Sequence, residues 1–157
     1  MDMMNSIFDY TRQTRKILLT LTEGLTTEQL NKIPAGFNNN IAWNLGHLVV
    51  STPALCYLRS SVQPQYPIPY LEKYMKGTKP EAEISAEEIE RMKEELLKSI
   101  DRIEQDYQAK AFENFVPFAT STYKYTVQNI DEMLLCCVAH DNMHTGQVSA
   151  LRKLVQQ

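Results

Sequence analysis

An all-α fold, a four-helix bundle, follows from three features of the sequence. Four long stretches space their apolar residues three and four apart, the period of a helix with one buried face. Two helix starts carry the Ser/Thr-x-x-Glu/Gln pattern of a capping box. Five glycines among 157 residues leave little material for a turn-rich all-β fold. The length suits one domain with a sizeable core, taken here as residues 1–157.

The first predicted helix runs from about Met4 to Thr22. Ile7, Tyr10, Thr11, Thr14, Ile17, Leu18 and Leu21 form its inner face, and Arg12, Arg15 and Lys16 lie mostly outside it. Thr26-Thr27-Glu28-Gln29 reads as a capping box opening a short turn that Pro34 and Gly36 close. Asn38, Asn39 and Asn40 each suit the cap of a second helix, Ile41 to about Arg59. Pro53 lies inside it, removes one backbone hydrogen bond, and kinks or weakens it.

A long connection follows from Ser60 to Ile84, with prolines at 64, 67, 69 and 80. Ser85-Ala86-Glu87-Glu88 is the second capping box and opens a helix to about Tyr107. Its apolar face is Ile89, Met92, Leu96, Ile100, Ile103 and Tyr107; Glu87 with Arg91 and Glu94 with Lys98 add surface pairs of a few tenths of a kcal/mol. A loop from Ala109 to Tyr125 leads to the last helix, Thr126 to about Val155. A helix of about 20 residues is roughly 30 Å long, and a connection of some 25 extended residues spans more, so the second and third helices are free to run parallel.

Composition excludes several functions. The net charge of −3, with lysines and arginines dispersed, offers no footprint for a phosphate backbone, so no nucleic-acid partner is expected. Residues 1–10 hold Asp2 and Asp9 and lack the basic and apolar regions of a secretory leader. Apolar runs fall short of the roughly 20 residues of a membrane span. Cys56, Cys136 and Cys137 cannot all pair within the chain and read as reduced thiols, so the expected location is cytoplasmic.

The chain has only three histidines, and their placement is informative. His140 and His144 stand four apart on the last helix, so they share one face with Cβ atoms about 6 Å apart. Met133, Cys136, Cys137, Gln147, Val148, Leu151 and Val155 fall in the same arc. Two buried imidazoles side by side repel when charged and have polar nitrogens to satisfy when neutral. A metal ion resolves both problems; hydrogen bonding to the backbone or to polar neighbours is the alternative.

His47 is the third candidate ligand, in an arc with Asn40, Trp43, Asn44, Ser51, Ala54 and Leu58; Ile41, Leu45 and Leu48 on the other side pack the core. The semi-polar arc suggests a lined pocket with Trp43 as a wall, and for Trp43 itself a core aromatic is preferred to direct ligand contact. Tyr10, Thr11 and Thr14 either line that pocket or bond locally to the backbone. Cys136 and Cys137 are one turn before His140 and read as core packing rather than as zinc thiolates.

Two segments carry a family resemblance that covers nearly the whole chain. Asn39-Asn40-Ile41-Ala42-Trp43-Asn44-Leu45-Gly46-His47-Leu48 resembles the first histidine motif of the DinB/YfiT-like family. His140-Asp141-Asn142-Met143-His144-Thr145-Gly146-Gln147-Val148 resembles its second, and Thr126-Val127 matches the opening of the family's last helix. The resemblance implies an up-down-down-up bundle, one divalent metal ion, zinc or nickel, on His47, His140 and His144, and a homodimer. It also implies a metal-dependent transferase or isomerase that uses a low-molecular-weight thiol (such as bacillithiol, mycothiol or glutathione) and acts on a small-molecule substrate. Where some relatives have further histidines, this chain has Cys136-Cys137.

Three protein ligands leave a position open, as catalytic sites do. The leading expectation is a thiol bound as thiolate for attack on an electrophile. A hydrolase needs a carboxylate base, and Asp141 sits at the edge of the inward arc, about 100° from His140. A metal- or small-ligand-binding bundle without turnover is the non-enzymatic alternative.

Overall fold

The computed structural model describes residues 3–62 and 67–157. Pro64 of the predicted connection therefore lies outside the described residues, as do Met1 and Asp2. The chain is mostly helical: α1 is Met3–Thr20, α2 Thr27–Asn31, α3 Ile41–Pro53, α4 Leu71–Tyr74, α5 Ala86–Gln108 and α6 Ile130–Val155. A short antiparallel pair, β1 (Phe118–Ala119) and β2 (Thr126–Val127), precedes α6. The long helices pack as a bundle in which α1 lies against α6 and α5, and α3 against the same two.

Local chemistry explains most boundaries. Thr26 and Gln29 form the reciprocal capping box at α2. Asn40 caps α3, its Oδ1 accepting from the Trp43 amide at 2.7 Å. Ser85 caps α5 by accepting from the Glu88 amide, but the Glu88 carboxylate does not complete the predicted box. It accepts from Lys73 at 2.7 Å and from the Tyr74 hydroxyl, tying α5 to α4. Pro53 ends the α-helical part of α3, and the chain continues as a wider π-helical turn, Ala54–Leu58, a frequent answer to a missing backbone donor.

The last helix starts later than the periodicity suggests. Thr126 and Val127, both β-branched, pair with Ala119 and Phe118 in the strand register, and Asn129 then caps α6 by accepting from the Glu132 amide at 2.9 Å.

The core confirms the inner face of α5: Ile89, Met92, Leu96, Ile100 and Ile103 are all buried. Each contributes about 1.5–3 kcal/mol of transfer free energy. The face of α1 is turned from its expected direction. Tyr10 and Ile17 are 59% and 49% exposed, whereas Phe8 and Arg15 are buried. The reason is electrostatic. Arg15 Nε donates to Asp141 Oδ2 at 2.7 Å, and the rest of its guanidinium reaches acceptors on α3 and α5, so burial costs it no hydrogen bond.

The stretch Ile41–Leu58 is, by length and mean hydropathy of 1.2, apolar enough to cross a membrane, more than the sequence reading allowed. It is 78% buried inside the fold, as the central helix of a bundle is.

Candidate metal centre

His47 comes from the middle of α3, and His140 and His144 from the middle of α6. The three predicted residues meet: one ligand atom from each lies within 4.8 Å of the other two. Ring centroids are 5.2 Å apart for His47 and His140, 4.8 Å for His47 and His144, and 4.5 Å for His140 and His144.

Partners behind the rings set the tautomers. His47 Nδ1 is 2.8 Å from the Tyr74 carbonyl oxygen, which can only accept, so Nδ1 carries the proton and Nε2 a lone pair. Asn44 Nδ2 donates to the Asn40 carbonyl at 2.7 Å, which turns Asn44 Oδ1 toward His144 Nδ1, also at 2.7 Å. His144 is thereby held with Nε2 free as well. His140 Nδ1 is buried without a partner among the described residues, and its Nε2 lies 3.4 Å from His47 Nε2.

That separation bears on whether a metal fits. Two nitrogens bound to one tetrahedral zinc at about 2.0–2.1 Å lie roughly 3.3 Å apart, close to the His47–His140 distance. The donor set also suits: burial pushes the His140 imidazolium down to about 4 and His144 down to about 3, and lowers His47 too. At neutral pH all three rings are uncharged donors.

Gly46 explains why Tyr74 reaches His47. A Cβ on Gly46 would sit 2.5–2.7 Å from the Tyr74 ring, so only glycine lets α4 approach α3 this closely. Trp43 stacks on His47 with centroids 4.8 Å apart and planes 10° from parallel, and its Nε1 donates to Thr78 Oγ1 at 3.1 Å. It is both core aromatic and pocket wall.

The histidines form one wall of a cavity of about 480 Å³. Val50, Ala54, Leu55, Leu58 and Met143 supply apolar lining, and residues 118 and 120–123 line the same cavity. Another depression, about 490 Å³, lies at Glu28, Lys32, Glu81 and Glu83 and contains none of the histidines. The chemistry belongs to the first.

Several expected liners sit elsewhere. Tyr10 is exposed, and Thr11 donates to the Ile7 carbonyl at 2.8 Å, the local bond anticipated for it. Ser51 lines the cavity while donating to the His47 carbonyl. Cys137 is core, its thiol pushed up by a hydrogen bond with Cys56 and by burial. Cys136 lines the cavity, and burial pushes its thiol to about 11, so it is no ready thiolate. Asp141 is fully buried against Arg15 and does not line the cavity.

Sequence reasoning missed the Tyr74 carbonyl, the segment from Phe118 to Tyr123, and Arg59 and Lys76. A backbone carbonyl leaves no mark in sequence. Gly46 beside His47 was the available signal.

The comparisons bear on the same interval. A family model described as the DinB superfamily matches residues 10–148, which include all three histidines. No curated protein matches the chain.

Proposed function

The chain belongs to the DinB superfamily, and from that premise we propose that His47, His140 and His144 hold one divalent metal ion, zinc or nickel, and that the protein transfers a low-molecular-weight thiol to a small electrophile. The observation that carries this reading is the convergence of three neutral imidazoles, two with Nδ1 fixed by Tyr74 and Asn44, on the wall of a mostly apolar cavity. A divalent ion bound there supplies the Lewis acidity that keeps a thiol deprotonated at neutral pH.

The protein's own groups do the rest. Tyr74 and Asn44 orient the rings, and the Val50, Ala54 and Leu55 wall excludes water from the sulfur nucleophile. In the transfer the thiol proton passes to solvent, a sulfur–carbon bond forms, and the bond from that carbon to its leaving group breaks. A hydrolase is disfavoured, because Asp141, the carboxylate nearest in sequence, is tied to Arg15 and has no surface on the cavity. An up-down-down-up course of the helices belongs to the same reading. Its support is that Phe8 packs on Tyr107, Arg12 pairs with Asp101, and Gln29 reaches the Val155 carbonyl.

The test is metal analysis of untagged protein purified without chelator, beside a His140→Ala, His144→Ala variant. About one equivalent of metal in wild type, lost in the variant, is the expected result. Metal-loaded protein should then accelerate conjugation of bacillithiol, mycothiol or glutathione to 1-chloro-2,4-dinitrobenzene. A loaded protein inert with all three thiols leaves a metal-binding bundle without this turnover.

A further inference from the structure

We infer that the cavity selects ligands carrying an anionic group, a carboxylate or a phosphate, on the end remote from the metal. The inference rests on the reading of the histidines as a metal site for its inner end, and on separate residues for its outer end.

Among the described residues the cavity lining includes Arg59 and Lys76 and not one aspartate or glutamate. The whole chain carries net charge −3, so a wholly cationic lining runs against the charge of the molecule. Neither cation has an ion-pair partner among the described residues, although α5 carries several ion pairs along its surface. Both are instead positioned by the segment that closes the cavity. The Arg59 guanidinium carbon lies 3.8 Å from the centroid of the Phe118 ring, and Lys76 Nζ donates to Ser121 Oγ.

A guanidinium held over an aromatic ring spends no N–H group on an ion pair, and its fork of donors matches the two oxygens of a carboxylate or phosphate. Ser121, Thr122 and Tyr123, each bearing a hydroxyl, line the same cavity. Along α3 and its π-helical continuation, Arg59 follows His47 by about 18 Å at 1.5 Å per residue. The anionic group is thus held well away from the metal, with the apolar wall of Val50, Ala54, Leu55 and Leu58 between. The ligand this lining fits has a reactive end at the histidines, an apolar or neutral middle, and an anionic tail.

The test uses full-length protein loaded with cobalt(II), titrated with 11-mercaptoundecanoate and with 11-mercaptoundecanol, which share one chain long enough to approach both ends of the cavity and differ at the tail. Two signals are read: the sulfur-to-cobalt absorption band, and the fluorescence of Trp43, the single tryptophan, which lines the cavity. The acid should bind about three- to tenfold tighter than the alcohol, the gain of one partly exposed charge contact. An Arg59→Gln, Lys76→Gln variant, altered at two exposed positions, should lose that preference while its affinity for the alcohol stays the same.

Equal affinity for acid and alcohol, or a preference that survives in the variant, overturns the inference. A fluorescence preference for the acid without the absorption band supports the anionic subsite and counts against thiol binding at the metal. An absorption band that both ligands develop with equal affinity does the reverse. Failure of the acid to saturate either signal overturns both.

Discussion

Two buried polar clusters sit side by side on α6 and are built to opposite ends. In the first, Arg15 and Asp141 close on each other. Every guanidinium N–H has an acceptor: Asp141 at 2.7 Å, the Leu96 carbonyl at 2.7 Å, Ser99 at 3.1 Å, the Leu48 carbonyl at 3.2 Å and Thr52 at 3.0 Å. One side chain of α1 thereby holds α3, α5 and α6. In the second cluster, one residue away, His47 and His144 direct their N–H groups outward to Tyr74 and Asn44 and leave lone pairs converging beside a cavity. A cluster whose cation is satisfied by its own members sets the register of the helices, even though Asp141 Oδ1 has no hydrogen-bond partner among the described residues. One that keeps acceptors free at a cavity wall could hold an ion.

The sharpest way to break this contrast is Arg15→Met. It leaves the Asp141 carboxylate buried without its cation, and the expected loss is about 3–5 kcal/mol in urea unfolding. Adding Asp141→Leu should recover most of that loss, because the pair is then replaced by apolar groups. A single-variant loss below about 1 kcal/mol would mean the pair behaves as an exposed one, and the contrast fails.

Gly46→Ala acts on the second cluster alone. The new methyl meets the Tyr74 ring and displaces α4, at a cost of about 1–3 kcal/mol. Loss of the Tyr74 carbonyl from His47 should weaken metal binding about 10–100-fold by competition titration. Gly146→Ala is the control. Its Cβ meets nothing within 4 Å, so metal affinity should hold and helix stability rise by about 0.5–1 kcal/mol. Equal metal affinities in the two variants would show that the Tyr74 bond does not matter.

The smallest expected effect is in the pH dependence. Folded His140 and His144 take up protons only near pH 4 and 3, and burial lowers His47 below its ordinary value too, so protons compete for the rings less than for free imidazoles. Metal affinity should therefore fall less from pH 7.5 to 5.5 than it would for rings titrating near the ordinary value of about 6.5. The metal-free chain shows the matching sign. Unfolded histidines protonate from about pH 6.5 downward and the folded ones do not, so stability is complete above that value and is lost as pH falls toward 4 and 3. A metal affinity falling steeply between pH 7 and 6 would place the rings in contact with water.

Legibility in the sequence divides along the same line as the two clusters. The helices, the caps at Thr26, Asn40 and Ser85, and the three histidines were readable, because period, capping and i,i+4 spacing act over a few residues. Arg15 was misread because three- and four-residue spacing places a charge by its polarity alone, and its partner lies 126 residues away. The start of α6 was misread for a related reason: Thr126 and Val127 are strand only because Phe118 and Ala119 lie beside them.

By itself, then, the sequence determined an all-α chain and which side chains carry nitrogen donors at helical spacing. Tertiary structure alone decided that α3 and α6 bring those donors within one ion's reach, and that a glycine lets a backbone carbonyl aim His47. It also decided that Arg59 and Lys76, 17 positions apart in the chain, line the same cavity. Local rules are set by neighbours a few residues away. A site is set by distances across the bundle, and those depend on how every buried face, charged or apolar, is satisfied at once.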